Sequence, residues 1–323
     1  MTMKYAPPVI ALLAALASTP AWTQQSYPTR PLRLIVPLAP GGPSDILARS
    51  LAQKLAEQIG VNVLVENRPG AGATIGTDAA AKAAPDGYTM LLIGLSTYTI
   101  NASLYSKLPY DSHKDLIGVS VLAEAPYILA THPSLPAKDV RQLIALDKSR
   151  PKELNFASGG TGTGPHLAME LLKDMTGITM VHIPYKGAGP GMTDLMAGHV
   201  QVMMVNMIAG LPYARQGRLR AIGVSRAKRS GAAPEIPSIA ESGVPGFDTA
   251  GHHLVMIRSG TPREIVARLN SELVKVLNQP DVSKRLAQEG ADIIGNSPDA
   301  AQAMVVSDIE KWAQVIRRLG LKH

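Results

Sequence analysis

The most constraining feature of this chain is a repeated beat: a short apolar strand, a glycine-rich loop, then a helix. The first instance is Leu32–Val36, a β-branched apolar run that reads as a buried strand. The loop Pro40-Gly41-Gly42-Pro43 follows, and Ser44 or Asp45 can cap a helix with Ile46, Leu47, Leu51, Leu55 and Ile59 on one stripe. A strand at 62–65, the loop GAGATIG at 70–76, a helix at 77–83 and a strand at 89–93 continue the beat. Strands alternating with helices imply a mixed, mostly parallel sheet covered on both faces, an α/β fold.

A second set begins with a strand at 122–131 and a helix at 137–149. A strand at 155–157 leads into SGGTGTG (158–164) and a helix carrying Leu167, Leu171 and Leu172. Then come a strand at 180–183, the loop YKGAGPG (185–191), a helix at 192–197, and strands at 200–205 and 219–224. From 261 the chain reads as helix: 262–278, 281–289 and 298–319. Helices without strands of their own must pack on an existing sheet, and the first set is the natural host. The expected organisation is one discontinuous domain, 27–121 with 245–323, and a second at 122–244. Two domains suit 323 residues, since single cores rarely grow past about 250.

Lys4, the apolar run 9–17 and the small-residue exit Ser18-Thr19-Pro20-Ala21 have the order of a secretory signal peptide, residues 1–21. That run is too short for a membrane anchor, which needs about 20 apolar residues. The mature protein is expected to be exported to a bacterial periplasm and to lose one unit of its net charge of +7 with Lys4. With no cysteine, disulfides, thiolate zinc sites and a cysteine nucleophile are excluded. Two Trp, two Phe and nine Tyr give no stacking platform for nucleic acid, and the basic run 226–229 is too short to be a footprint.

Catalytic signatures are missing. The chain has no G-x-S-x-G elbow, no P-loop and no H-E-x-x-H pair. GAGATIG departs from dinucleotide spacing, and the following strand ends at Gly94-Leu95-Ser96 without an acid for a ribose. His252-His253 are neighbours that point to opposite faces of a strand, so they read as a polar strand end rather than a metal site. What remains is a set of loops at the carboxyl ends of strands: 40–45, 96–99, 158–163 and 185–191. Open α/β sheets bind ligands there, and N–H groups at helix starts hold anions without arginine. Ser44, Ser96, Thr97, Ser158, Thr161 and Thr163 add hydroxyls to those loops.

These loops resemble, as an ordered set, the substrate-binding proteins of tripartite tricarboxylate transporters, the TctC-type or Bug receptors. The matching stretches include YPTRPLRLIVPLAPGGPSDILAR (27–49), VENRPGAGATIGTDAAAKAAPDGYTML (65–91) and INASLYSKLPYDSHKDL (100–116). LNFASGGTGTGPHLAMELLK (154–173), IPYKGAGPGMTDLMAGHVQ (183–201), LPYARQGRLRAIGVSRAKRS (211–230) and VPGFD with GTPREIVARLN (244–270) complete the series. The resemblance implies a type II periplasmic-binding-protein fold: two α/β domains, two crossing strands and a cleft that closes on a carboxylated small molecule. It further implies delivery of that ligand to a membrane permease of large and small subunits.

By the same resemblance, Pro40, Gly41, Gly42, Ser44 and Asp45 hold one carboxylate through main-chain N–H groups and water. Ser96, Thr97, Ser158, Thr161, Thr163, Tyr185 and Asn206 line the rest. Asp45 either holds its loop closed or receives a ligand amine, and the first reading is preferred. Leu38 stands where the family usually has Phe, Val205 where an acid is common, His252 near an aromatic position and Arg258 where proline is common. The expectation is a monomeric receptor for a di- or tricarboxylate, aromatic acid or acidic amino acid, with no cofactor, metal or catalytic residue. The alternatives are a ligand sensor for a signalling partner and a secreted α/β hydrolase.

Overall fold

The LRLIV run forms strand β1 (Leu32–Val36), buried at every position but Arg33, as a strand covered on both faces must be. The structure, a computed structural model, describes residues 1–2 and 27–321. Apart from its first two residues, the expected signal peptide with its cleavage at Ala21 lies outside them. Pro43 in the first turn and a left-handed Gly60 after the last one bound helix α1 (Pro43–Ile59). α1 buries Leu47, Leu51 and Leu55 on one face, with Ala48 and Ala52 beside them.

Strands β2 (Val63–Asn67) and β3 (Thr89–Gly94) flank β1 in parallel. Helix α2 (Thr74–Ala81) lies between them in sequence, and α3 (Leu95–Leu104) follows β3 directly. Strand β4 (Leu116–Thr131) is 16 residues long. After it come α4 (Val140–Ser149), β5 (Asn155–Ser158), α5 (Gly164–Thr176), β6 (Val181–Pro184), α6 (Ala188–Ala197) and β7 (Val202–Asn206). Then α7 (Met207–Arg215) and β8 (Arg220–Val224) precede β9 (Ala250–Arg258). The chain ends with α8 (Arg263–Leu277), α9 (Pro280–Gln288), β10 (Asp292–Ile293) and α10 (Pro298–Leu319).

One hydrogen-bonded path, β2-β1-β3-β9-β4-β7-β5-β6, runs through the molecule, with β8 and β10 also on β4. Strands of the βα units pair in parallel, β1 with β2 and β3, and β5 with β6 and β7. The crossing strands β4 and β9 pair antiparallel from Leu116↔Arg258 to Pro126↔Ala250. From Tyr127 onward β4 pairs instead with β7 and β8. Pro126 sits at this change of partner, where its missing N–H leaves no ladder bond to break.

Alternation along the strands feeds a core on each face. Leu34 and Leu92 pack with Leu51, Leu273 and Leu286 from α1, α8 and α9, while Ile35 and Leu91 pack with Tyr98, Val305 and Ile309 from α3 and α10. The second lobe repeats this, with Phe156, Leu143, Leu172 and Met204 in one core and Met203, Leu195 and Leu211 in the other. The C-terminal helices thus return to the first lobe's sheet, as their lack of strands required. A smaller cluster joins the lobes: Ile100 and Leu104 of α3, Leu167 of α5, Trp312 and Ile316 of α10.

The structure departs from the sequence reading in definite places. Residues 96–99, expected as a loop, lie in α3, which is buried almost all round and so shows no amphipathic stripe. Helix α7 was not foreseen; its first five residues are all buried and Pro212 lies inside it. β4 starts at 116 rather than 122 and runs unbroken through that position. α2 and α6 begin within the expected glycine loops, at Thr74 and Ala188.

Leu92 is fully buried between the sheet and the α1–α8 layer. Leu92→Ala is expected to lower the unfolding free energy by about 2–5 kcal/mol in urea titration. A loss well under 1 kcal/mol would place Leu92 outside a packed core.

Candidate functional site

Five helices begin at one place. The starts of α1 (Pro43, Ser44), α3 (Gly94, Ser96, Thr97), α5 (Thr163, Pro165), α6 (Ala188) and α7 (Asn206) line a single cleft. Leu38, Tyr127, Gly159, Gly251, His252 and His253 complete the wall. Each βα unit turns from strand to helix at the same end of the sheet, so the helix amino ends gather there.

Four of these helices lack a side-chain cap: the N-cap positions Gly42, Gly94, Thr163 and Gly187 accept no first-turn N–H. The Thr163 hydroxyl donates to the Gly160 carbonyl instead, at 2.7 Å. α7 is capped by its own Asn206, whose Oδ1 accepts from the Ile208 N–H at 3.1 Å, and the first N–H of α5, at Gly164, is taken by Thr97 Oγ1 at 3.4 Å. First-turn N–H groups without caps carry partial positive charge and seek an acceptor. None of the lining side chains is Asp, Glu, Lys or Arg. The cleft therefore offers main-chain donors and hydroxyls to an anion, without a fixed cation.

Three titratable side chains line it. Burial pushes the Tyr127 hydroxyl well above the usual phenol range, with Asp308 adding to the effect. Burial, and the neighbouring His252, push His253 down to about 4. His253 Nδ1 lies 3.4 Å from Ser44 Oγ, while its Nε2 is buried without a partner. His252 Nε2 lies 3.0 Å from Glu124 Oε2 and remains partly exposed. The hydrogen bond from His252 holds the Glu124 carboxyl below its ordinary range against the opposing effect of burial.

The lobes meet closely beside the cleft. The Ala39 N–H donates to the Lys186 carbonyl at 2.9 Å. A Cβ on Gly189 would stand 2.2 Å from the Pro40 carbonyl oxygen, so only glycine permits this approach of α6 to the 40–42 loop. The cleft's free volume is about 60 Å3, small beside the roughly 300 Å3 at the lower end of small-molecule sites. The walls stand close together and leave little room between them in this conformation.

Of the residues expected from sequence, Ser44, Ser96, Thr97, Thr163 and Asn206 come together on the cleft wall. Pro40, Gly41 and Gly42 stand behind it, packed on the start of α6. Asp45 Oδ2 accepts from the Gly41 N–H at 3.0 Å and from Arg49 Nε at 3.1 Å, which ties the loop to its own helix. Burial pushes the Asp45 carboxyl up, but the bonds from Arg49, Gly41 and Asn67 outweigh it and hold it below the usual range. Ser158 Oγ is bonded to His182 Nε2 at 2.6 Å and to the Gly160 N–H at 3.1 Å, bracing its loop from inside. The Tyr185 hydroxyl donates to Asp194 at 2.6 Å. Thr161 is half-buried with its carbonyl against Gly72.

A sequence profile described as "Tripartite tricarboxylate transporter family receptor" (TctC) matches residues 47–321. The chain belongs to this family. It is 39% identical over 316 residues to "Protein BugT" of Bordetella pertussis, covering 97% of each chain. Among solved structures it is similar to "R. palustris Rpa4515 with adipate", at TM-score 0.88 and 35% identity over 92% of this chain and 99% of that one. It is likewise similar to MatC from Rhodopseudomonas palustris "with bound malate", at TM-score 0.86 and 31% identity over 90% and 100%. The fold of this TctC-family chain is thus that of a two-lobed periplasmic binding protein, as the ordered motifs implied. A further similar structure, at TM-score 0.88 and 32% identity over 92% of this chain and 99% of that one, is "periplasmic binding protein BugD".

Sequence reasoning missed Tyr127, Pro165, Gly251 and His253 as wall residues of this TctC-family cleft, while Gly159 lies in the expected loop 158–163. The usable signal was the polar pair His252-His253 interrupting the apolar run of β9, since polar groups inside a buried strand need a reason. No group of three or more His, Asp or Glu side chains that could hold a metal ion stands among the described residues. A wider groove of about 630 Å3, lined by Glu124, Arg226, Lys228, Arg229 and Asp248 among others, lacks the converging helix starts.

Because His253 is neutral when folded and protonates more readily unfolded, it stabilises the fold above pH 6.5, an effect lost as the pH falls towards 4. Between pH 8 and pH 5 the loss is about 2 kcal/mol, counted at 1.36 kcal/mol per unit. His253→Gln is expected to flatten the stability–pH curve by about that amount in urea titrations. Parallel curves for the two proteins would rule the buried neutral imidazole out.

Proposed function

We propose that this chain is an exported solute receptor that binds a small organic acid between its lobes and presents it to a membrane permease of the tripartite tricarboxylate type. The observation that carries this reading is the convergence of five helix starts, four without side-chain caps, on a cleft with no charged wall residue but histidine. Such a site gains most from a carboxylate, whose oxygens take several N–H donors at once. Two relatives of known structure hold adipate and malate, in keeping with this. The lobes are taken as 27–121 with 245–323, and 122–244, hinged where β4 changes partner at Pro126–Tyr127.

Closure brings N–H groups and hydroxyls of both lobes to one ligand, so the ligand stabilises the shut state by its differential affinity. Direct ligand contacts are assigned to Ser44, Ser96, Thr97, Thr163 and Asn206. Pro40, Gly41, Gly42, Asp45, Ser158, Thr161 and Tyr185 hold the loops that carry the donors. The reading assigns no catalytic residue and no cofactor, and treats the receptor as a monomer. The signal-like order of residues 1–21 supports a periplasmic location. No helix among the described residues is long and apolar enough to cross a membrane.

A thermal-shift panel of mono-, di- and tricarboxylates, aromatic acids and acidic amino acids tests the reading. A true ligand at 100 Kd adds about 2.7 kcal/mol to stability and raises the melting midpoint. A protein that ignores every carboxylate while answering to a nucleotide or an ester would overturn the proposal. Thr97→Val and Ser96→Ala are each expected to weaken the best acid by about 0.5–1.5 kcal/mol in calorimetric titration. The unliganded melting point of Ser96→Ala should stay close to the parent's, while that of Thr97→Val falls somewhat, since the Thr97 hydroxyl also accepts the Gly164 N–H.

A further inference from the structure

Resting on the hinged-receptor reading, we propose that Lys228 and Asp292 form an ion pair behind the hinge when the cleft opens, and that this pair helps keep the ligand-free receptor open. Side chains alternate between the two faces of a ladder. Glu124 and Pro126 of β4 line the wider groove, while Tyr127 lines the cleft. The register carries this alternation across the neighbouring strands. His252, Glu124 and Asp292 form one row through β9, β4 and β10, and the His252 ring is turned to Glu124 on the groove side. Ala125 and Gly251 form the next row, and a Cβ on Gly251 would stand 2.9 Å from Tyr127 and from Asn206 on the cleft side. Cleft and groove therefore lie back to back, with the crossing strands between them.

The groove, like the cleft, takes a wall from each lobe. Residues 226–232, after β8, form one wall, and Ala287, Gly290 and Asp292 of the α9–β10 segment form the other. A bend at Pro126–Tyr127 thus widens one space as it narrows the other. The present conformation joins a narrow cleft of about 60 Å3 to a wide groove of about 630 Å3. Most charges around the groove are already paired. Arg226 lies 3.4 Å from Glu124 and 3.3 Å from Asp248, and Arg229 Nε donates to Glu241 at 2.7 Å. Lys228 on the second lobe's wall and Asp292 on the first lobe's wall are exposed, and neither side chain has a partner among the described residues. Opposite charges on the two walls attract more strongly as the walls approach, which is the movement that opens the cleft. An exposed pair shifts an equilibrium by up to about fivefold, enough to bias two states without locking either.

The test measures lobe separation and affinity on the full mature chain. The chain has no cysteine, so Ile75→Cys and Thr193→Cys place one spin label on each lobe. Both sites are exposed and near Gly72 and Gly189, where the lobes touch beside the cleft. Lys228→Gln and Asp292→Asn are each expected to move the ligand-free protein from the longer label distance towards the shorter one. Each should also tighten every acid of the carboxylate panel by one common factor, about two- to fivefold in calorimetric titration. Removing a cation and removing an anion change the long-range field on an acid in opposite senses, so a shared direction excludes that cause. The exchange Lys228→Asp with Asp292→Lys should restore the parent's distances and affinities. Single variants whose distances or affinities match the parent's or move the other way, or an exchange that behaves like the singles, would overturn the pair and leave the receptor reading standing. A parent that binds no acid of the panel would overturn the receptor reading, and the label distances alone would then decide the pair.

Discussion

Strand β4 is hydrogen-bonded to both halves of the molecule, and the geometry of the cleft depends on that one element. Its first eleven residues run with β9 and its last five with β7 and β8, so the two lobes share a continuous ladder rather than a flexible linker. A shared ladder restricts lobe motion to bending about the place where pairing changes. Pro126 marks that place, and the next residue, Tyr127, already lines the cleft. On the facing strand, Ala250 pairs with Pro126, and Gly251 to His253 form cleft wall. In the hinge motion proposed above, a small change of angle there would move wall residues directly, with no loop needed to transmit it.

The electrostatic design follows from how anions can be held in a closed space. A buried arginine would attract a carboxylate strongly, but in the unliganded shut state it would be an unpaired buried charge at a cost of several kcal/mol. Uncapped helix starts carry only partial charge and are cheaper to leave waiting. Asp45 illustrates the same economy from outside the wall. It is an acid within the first turn of α1, yet Arg49 and the Gly41 N–H hold it away from the cleft, where it would repel the ligand. The net positive charge, +7 for the full chain and one unit less without Lys4, would act at longer range as a mild attraction for anionic solutes that salt screens.

Much of this was legible in the sequence because the information was local. β1 with α1, β5 with α5 and the C-terminal helices each announce themselves by a period and a terminator within twenty or so residues. Ser44, Ser96, Thr97 and Thr163 were readable for a related reason, since each follows closely on a strand, while Asn206, the last residue of β7, came only from the family resemblance. The illegible parts are non-local or aperiodic. Helix α3 is buried on nearly every side, so no stripe marks it. Tyr127 and His253 reach the cleft only because strands far apart in sequence are paired. Ser158 and Tyr185 carry the right chemistry, but their hydroxyls are bonded to His182 and Asp194, partners that no spacing rule reveals.

The glycines, first read as anion-binding loops, have a second use at the seam between the lobes. Gly189 meets the Pro40 carbonyl, Gly187 meets Ala39, and Gly162 comes against Asn101, each at a distance no Cβ would allow. The first two contacts are with backbone and the third with the Asn101 side chain; hydrogen bonds from Ala39 to Lys186, from Gly164 to Thr97 Oγ1 and from Arg215 to Gln288, with the apolar cluster around Trp312 and Leu167, also join the halves. In the receptor proposed above, such contacts must leave the open and shut states close enough in energy for a ligand to shift them. A receptor needs that balance: a ligand shifts an equilibrium only by its differential affinity for the two states, and a strongly favoured shut state would admit nothing. A larger side chain at Gly189 would prop the lobes apart and deprive the ligand of donors on one side. The same glycines that free the N–H groups for an anion thus also set how far the lobes can close around it.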